Sequence, residues 1–275
     1  MANFTASDVK ALRDRLGTGM MDSKNALVEA DGDMEKAVEL LRLKGAKNNA
    51  KRADRSTSEG LVAAVESGGT ATMIELACET DFVAKSDKFV ALSDAVLNAT
   101  AAAKARTVDD ALAATAGSKT VAELIEGDSA ILGEKVELRR VASIDADHFA
   151  IYMHKTNKDL PPQVGVVVGY TGDDADTARS VAQHIAFADP QYLTRDEVPA
   201  DIVEKEREIV TEISRNEGKP EAALAKIVEG RIGAFFKQVS LLDQDYAKDN
   251  KLNIGQVLHG AGLSVVGFAR FKVGA

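Results

Sequence analysis

Cys78 and the histidines His148, His154, His184 and His259 are the side chains of this 275-residue sequence best suited to nucleophilic or metal chemistry at neutral pH. A cysteine nucleophile needs a lowered pKa, a neighbouring base and access, and Cys78 with His154 would be that pair. Yet Cys78 alternates with Ile74 and Leu76 along one strand face, which makes it a small apolar core residue. The histidines share no helix spacing and have no companion cysteines, so the zinc pattern is missing and no metal is expected. No Gly-x-x-x-x-Gly-Lys-Ser/Thr loop or Gly-x-Gly-x-x-Gly turn follows a strand, and no cofactor is expected. Gly17-Thr18-Gly19 lies between two helices and reads as a turn. Glu204, Glu206, Glu208 and Glu212 alternate with Lys205 and Arg207 as a solvated helix face does, not as a paired acid and base. These patterns predict a protein that is not an enzyme.

Thr80-Asp81-Phe82-Val83 stands apart, because a large aromatic beside a carboxylate sits between a strand end and a helix. Two readings fit the residues alone. Asp81 is the anion of a helix start and Phe82 a staple into the core; or Phe82 is an exposed aromatic anchor of the kind that dominates protein interfaces.

The elements that must carry this segment follow from periodicity. Thr5 with Asp8 makes a capping box, and Val9, Leu12 and Leu16 share one helix face. A second helix is predicted from Met20 to Ala30, and Asp33 caps a third that turns Met34, Ala37, Val38 and Leu41 inward. From Arg42 to Arg55 a basic run without apolar period reads as a linker or a solvated helix extension, with a basic patch for an acidic partner or RNA as the alternative. No aromatic residue is there to stack on bases. Leu61–Val65 and Ala71–Cys78 form a hairpin about Ser67-Gly68-Gly69, and a helix from Asp87 shows Phe89, Val90, Ser93, Val96 and Leu97 on one face. The plan recurs later with strands at 149–154 and 164–170 and a helix at 175–187; Val121–Leu132 reads as helix and 134–142 as strand. Asp201–Glu217 and Glu221–Leu242 read as a helical hairpin lined by Ile202, Ile209 and Ile213 against Leu224, Ile227, Val228, Ile232, Phe235 and Val239. A short helix at 254–259 and a strand at 263–273 complete the second sheet. The fold expected is α+β: residues 1–55 a three-helix bundle with its basic linker, 56–142 and 143–275 the two parts of an antiparallel-sheet core, and the hairpin inserted at 195–245.

Composition bounds the task. A net charge of −9 argues against a nucleic-acid surface and leaves protein partners, while 45% hydrophobic residues support real cores. One cysteine forms no intrachain disulfide, the first residues carry no leader pattern, and no apolar run approaches about 18 residues, so a cytoplasmic protein without a membrane span is expected.

Several ordered stretches resemble the elongation factor Ts family. They are Val9-Lys10-Ala11-Leu12-Arg13, Gly19-Met20-Met21-Asp22-Ser23-Lys24-Asn25-Ala26-Leu27 with Gly32-Asp33, Cys78-Glu79-Thr80-Asp81-Phe82-Val83-Ala84, Gly133-Glu134 before Arg139-Arg140, Val228-Glu229-Gly230-Arg231, and Gly267-Phe268-Ala269-Arg270-Phe271. Ser23 stands where the family often has cysteine. The resemblance implies a guanine-nucleotide exchange factor that binds elongation factor Tu during translation elongation, with a ubiquitin-associated-like N-terminal bundle. It implies that Asp81 and Phe82, flanked by Thr80 and Val83, enter the partner near its magnesium and nucleotide site. It also implies contacts from His154, although Lys155–Gln163 inserts extra residues after it, and from Met20. Some members extend past the final strand with a further contacting helix, which this chain, stopping at Gly274-Ala275, is expected to lack. The competing reading is a ubiquitin-associated-like protein-binding module of a ribosome-associated or chaperone-type protein.

Overall fold

The computed structural model describes residues 3–16 and 18–275, with residues 42 and 45–51 described by backbone alone. The chain opens with α1 (Ala6–Leu16), α2 (Met20–Glu29) and α3 (Met34–Arg52). Thr5 caps α1 through Asp8, whose carboxylate takes the Thr5 N–H at 2.7 Å; these bonds hold the Asp8 carboxyl below its ordinary value. Val9, Leu12, Ala37, Val38 and Leu41 close the bundle core as the periodicity predicts, with Leu16 and Met34 partly buried at its edge, and α2 adds Ala26 and Leu27. Gly17, part of the predicted turn, lies outside the described residues. Helix α3 does not stop at the basic run but continues to Arg52, so the helix-extension reading holds. Nothing interrupts it, because the run contains no proline and its lysines and arginines are good helix formers.

Strands β1 (Glu59–Ser67) and β2 (Thr70–Cys78) form the expected hairpin, turned by Gly68 and Gly69 at φ +58° and +78°. After α4 (Asp81–Ala84) come α5 (Asp87–Ala102), α6 (Val108–Ala113), a ribbon of β3 (Thr115–Ala116) and β4 (Lys119–Thr120), α7 (Val121–Leu132) and β5 (Val136–Asp145). Strand β5 pairs with β2, giving an antiparallel sheet of order β1-β2-β5. The second half repeats the plan: β6 (His148–His154) and β7 (Val164–Thr171), α8 (Ala175–Ala188), the hairpin α9 (Ala200–Asn216) and α10 (Glu221–Val239), a ribbon of β8 (Asp245–Tyr246) and β9 (Asp249–Asn253), α11 (Ile254–Gly260) and β10 (Ser264–Lys272). Strand β10 joins β7 as expected, for the order β10-β7-β6.

The two sheets stack face to face between helices. Leu61, Ile74, Leu76, Cys78 and Leu138 point to α5 and α7, whereas Val62, Ala71 and Met73, from alternate positions, meet Val167 and Phe271 of the other sheet. On the far side Val166, Val168 and Tyr170 pack on α8 and α11. Gly165 and Gly169 set this approach: a Cβ on Gly165 would lie 2.5 Å from Val62 Cγ1, and one on Gly169 2.7 Å from Ile144 Cγ2. These contacts place the His154–Val164 end of the second sheet over the half of β2 that leads to Cys78. Buried Glu75 ties the sheets together, paired with Arg140 and, at 3.5 Å, with Arg139, and accepting the Gly274 N–H at 3.4 Å. Such a charge is tolerable only with partners this close.

One expectation fails in the α9–α10 hairpin. Its core is Val210, Val228 and Ile232 with Val203 and Phe236, and Ser214 is buried beside them. The isoleucines Ile202, Ile209 and Ile213, expected inside, are exposed. Each buried residue of α9 follows an exposed isoleucine by one position, about 100° of helix rotation. The inner face takes the smaller side chains, and Arg207–Glu229 and Arg231–Glu217 brace the pair from outside.

Candidate functional site

Chain direction explains the exposed aromatic. Strand β2 leaves its sheet at Cys78, and Thr80, in extended conformation, caps α4 by accepting the Val83 N–H at 3.4 Å. Ser86 caps α5, accepting the Phe89 N–H at 3.2 Å and donating to the Val83 carbonyl at 2.8 Å. Ala84 and Phe89 are fully buried and Val83 packs against the same core. One short turn cannot send every side chain inward, so Asp81 and Phe82 face out. Phe82 is 74% exposed, and the core-staple reading therefore falls, although Asp81 does stand at the start of a helix. Lys85 attends both, with Nζ 4.5 Å from the Phe82 ring centre and 3.4 Å from Asp81.

The turn is bolted down from behind. One oxygen of Glu134 accepts the N–H groups of Glu79 and Thr80 at 3.1 and 3.0 Å, and the other accepts the Thr80 hydroxyl at 2.6 Å. In return, Glu79 accepts the Lys135 N–H at 2.6 Å and pairs with Arg55 at 3.2 Å. Lys135 Nζ reaches the carbonyls of Ala53 and Arg55, just after α3. Sequence reasoning missed Glu134, Glu79 and Lys135 as a group. Their partners are far apart in the chain, and the one available signal was a glycine and glutamate directly after a helix, Gly133-Glu134.

Cys78 is fully buried and donates its S–H to the Thr80 carbonyl at 3.3 Å. Burial first, and then the Glu134 charge, push its thiol up to about 12, so it stays a neutral core residue at physiological pH. His154 is exposed at the end of β6, its Nδ1 3.0 Å from the Tyr152 hydroxyl. It stands opposite Val164 on the second sheet, whereas the Phe82 turn follows a strand of the first, and Met20, half exposed at the first position of α2, belongs to the bundle. Among the described residues no group of three or more His, Cys, Asp or Glu is gathered closely enough to hold a metal ion. No described helix is long and apolar enough to cross a membrane. A rigidly mounted aromatic and carboxylate suit insertion into another protein, since a fixed anchor loses little conformational entropy on binding.

A family model described as Elongation factor TS matches residues 79–275. Proteins named Elongation factor Ts are 72% identical to this chain in Leifsonia xyli subsp. xyli and 72% in Clavibacter sepedonicus, in each case over the full length of both chains. One from Tropheryma whipplei is 53% identical, again over both full lengths.

Proposed function

The chain belongs to the elongation factor Ts family, a family of translation elongation factors, and on that premise we propose that it is a guanine-nucleotide exchange factor for elongation factor Tu, acting in the cytoplasm and catalysing no covalent reaction. The observation that carries this reading is the 74% exposure of Phe82, beside Asp81, on a turn held to the core by Val83 and Ala84. GDP in a GTPase is held by backbone amides, a lysine and Mg²⁺ at its phosphates. A wedge that shifts this loop and displaces the ion removes much of that electrostatic hold without bond making. Phe82 is the rigid apolar body of the wedge, and Asp81 accepts hydrogen bonds from backbone groups that the shift frees. Both act by favouring the partner's nucleotide-poor conformation. His154, on the second sheet, and Met20, on the bundle, are proposed as further contacts, with Thr80 and Val83 as the wedge's mount. A ubiquitin-associated-like binding module alone would leave the mounted turn without a task. The test is release of labelled GDP from elongation factor Tu with and without this protein. Acceleration is expected at substoichiometric concentration, and an unchanged rate would overturn the reading.

A further inference from the structure

Helix α4 spans a single turn, Asp81–Ala84, and one isolated turn has no stability of its own in water. The direction of Phe82 must therefore come from outside that helix. Ladder pairing with β5 ends at Cys78–Val136, so the next two peptide groups, Glu79 and Thr80, leave the sheet without strand partners. Both N–H groups go to one carboxylate oxygen of Glu134, and the second oxygen takes the Thr80 hydroxyl proton. A hydroxyl has a single proton. Once that proton is committed to Glu134, the lone pairs of Thr80 Oγ1 are turned to the Val83 N–H, which is the capping bond that winds α4. Glu134 itself is placed by Gly133, which ends α7 at φ +80°, a conformation glycine adopts without strain.

We propose that Glu134 is the positioning residue of the Asp81–Phe82 wedge, setting its aim through Thr80 without touching the partner. The functional half of this proposal rests on the exchange-factor reading; the structural half stands alone. Loss of Glu134 strands two amide groups and frees the Thr80 hydroxyl to rotate, while the β2–β5 ladder and the core beneath it keep all their contacts.

Two measurements separate these halves. In amide hydrogen exchange on Glu134→Ala, the amides of residues 83–85, which bond back to Thr80 and Asp81, should exchange about tenfold faster or more, the scale of a lost charge-assisted hydrogen bond. Amides of residues 72–78 should keep their protection. Equal protection of the turn in the variant and the unaltered protein would overturn the proposal, whatever the exchange activity. The second measurement is a double-mutant cycle in stimulated GDP release. Glu134→Ala alone should slow it about tenfold and Phe82→Ala about thirtyfold, and the double variant should fall well short of the product of the two losses, since only the aim of Asp81 is then left for Glu134 to set. A product of the two losses would show that Glu134 acts elsewhere. If Glu134→Ala does not fold, Glu134→Gln enters the same two measurements, since it keeps the shape and one acceptor oxygen but not the charge. Failure of both variants to fold would make Glu134 a residue of the fold and end the proposal. Absence of stimulation by the unaltered protein would instead remove the exchange-factor reading and leave the hydrogen-exchange result to decide the clamp.

Discussion

Phe82 and Phe89 occupy neighbouring turns of chain with opposite surroundings: the first is 74% exposed and the second fully buried on the inner face of α5. Their truncations should therefore separate cleanly. Phe89→Ala should cost about 3–5 kcal/mol of stability, the usual scale for a large aromatic removed from a core. Phe82→Ala should leave stability within about 0.5 kcal/mol while lowering stimulated GDP release about thirtyfold, near 2 kcal/mol of coupling. Thermal melting beside a release assay checks both. If the Phe82 variant melts early, the aromatic is structural and the wedge fails. The residue types of the turn were legible in the sequence, but their direction was not. A helix of four residues is too short to show a period, and the partners that aim it, Glu134 and Lys135, come from beyond α7. Cys78 was legible because strand alternation with Ile74 and Leu76 is a local signal.

At the scale of elements, the sequence carried the order of helices and strands well and the inner face of the α9–α10 hairpin badly. Ile202, Ile209 and Ile213 form the more apolar stripe of α9, yet the helix turns Val203, Val210 and Ser214 to its partner. Bulk and hydrophobicity favour the isoleucines; close approach of two helices favours the smaller side chains one position on. Ile209→Lys should accordingly change stability by less than about 0.5 kcal/mol, and Val210→Ala should cost about 1–2 kcal/mol, as read by urea melting of the helical signal. The reverse order would restore the stripe to the inside. A second element-level prediction concerns α8. Buried His184 accepts the Ala247 N–H at Nδ1 at 3.3 Å, which leaves Nε2 protonated to donate to Gln244 Oε1 at 2.9 Å. Burial lowers its pKa from the ordinary 6.5, partly opposed by the Gln244 bond. Below 6.5 the unfolded chain binds a proton that the folded one resists, so stability falls with acid from that value down through the folded pKa. Urea midpoints at pH 7.5 and 5.5 should show the loss, and His184→Gln should remove this part of it.

At the scale of the whole molecule, the stacking of the sheets was the least legible feature. Strand β7 is buried on both faces, and a continuous apolar run such as Val164–Tyr170 does not say which layer covers which side. Gly165 and Gly169 decide the sheet spacing only once the second sheet is in place. The bundle closes its own core and meets the rest through α3 against α7, where Arg52 donates to the Ser129 carbonyl at 3.4 Å. Removing residues 1–55 should thus leave a folded core with weaker partner binding, seen first at low protein concentration because a tethered second contact adds avidity. Unchanged binding would contradict this. The strictest demand is thermodynamic. If the wedge weakens GDP binding by favouring the nucleotide-poor conformation, GDP must weaken binding of this protein to its partner by the same factor. Affinity measured without nucleotide should exceed that measured with saturating GDP and Mg²⁺, and removal of Mg²⁺ alone should recover part of the difference. Phe82→Ala should bring the two affinities together by lowering the first while leaving the second nearly unchanged, because its contact exists only in the conformation that GDP opposes. Equal affinities for the unaltered protein with and without GDP would reject the exchange mechanism while leaving the family and the fold as they stand.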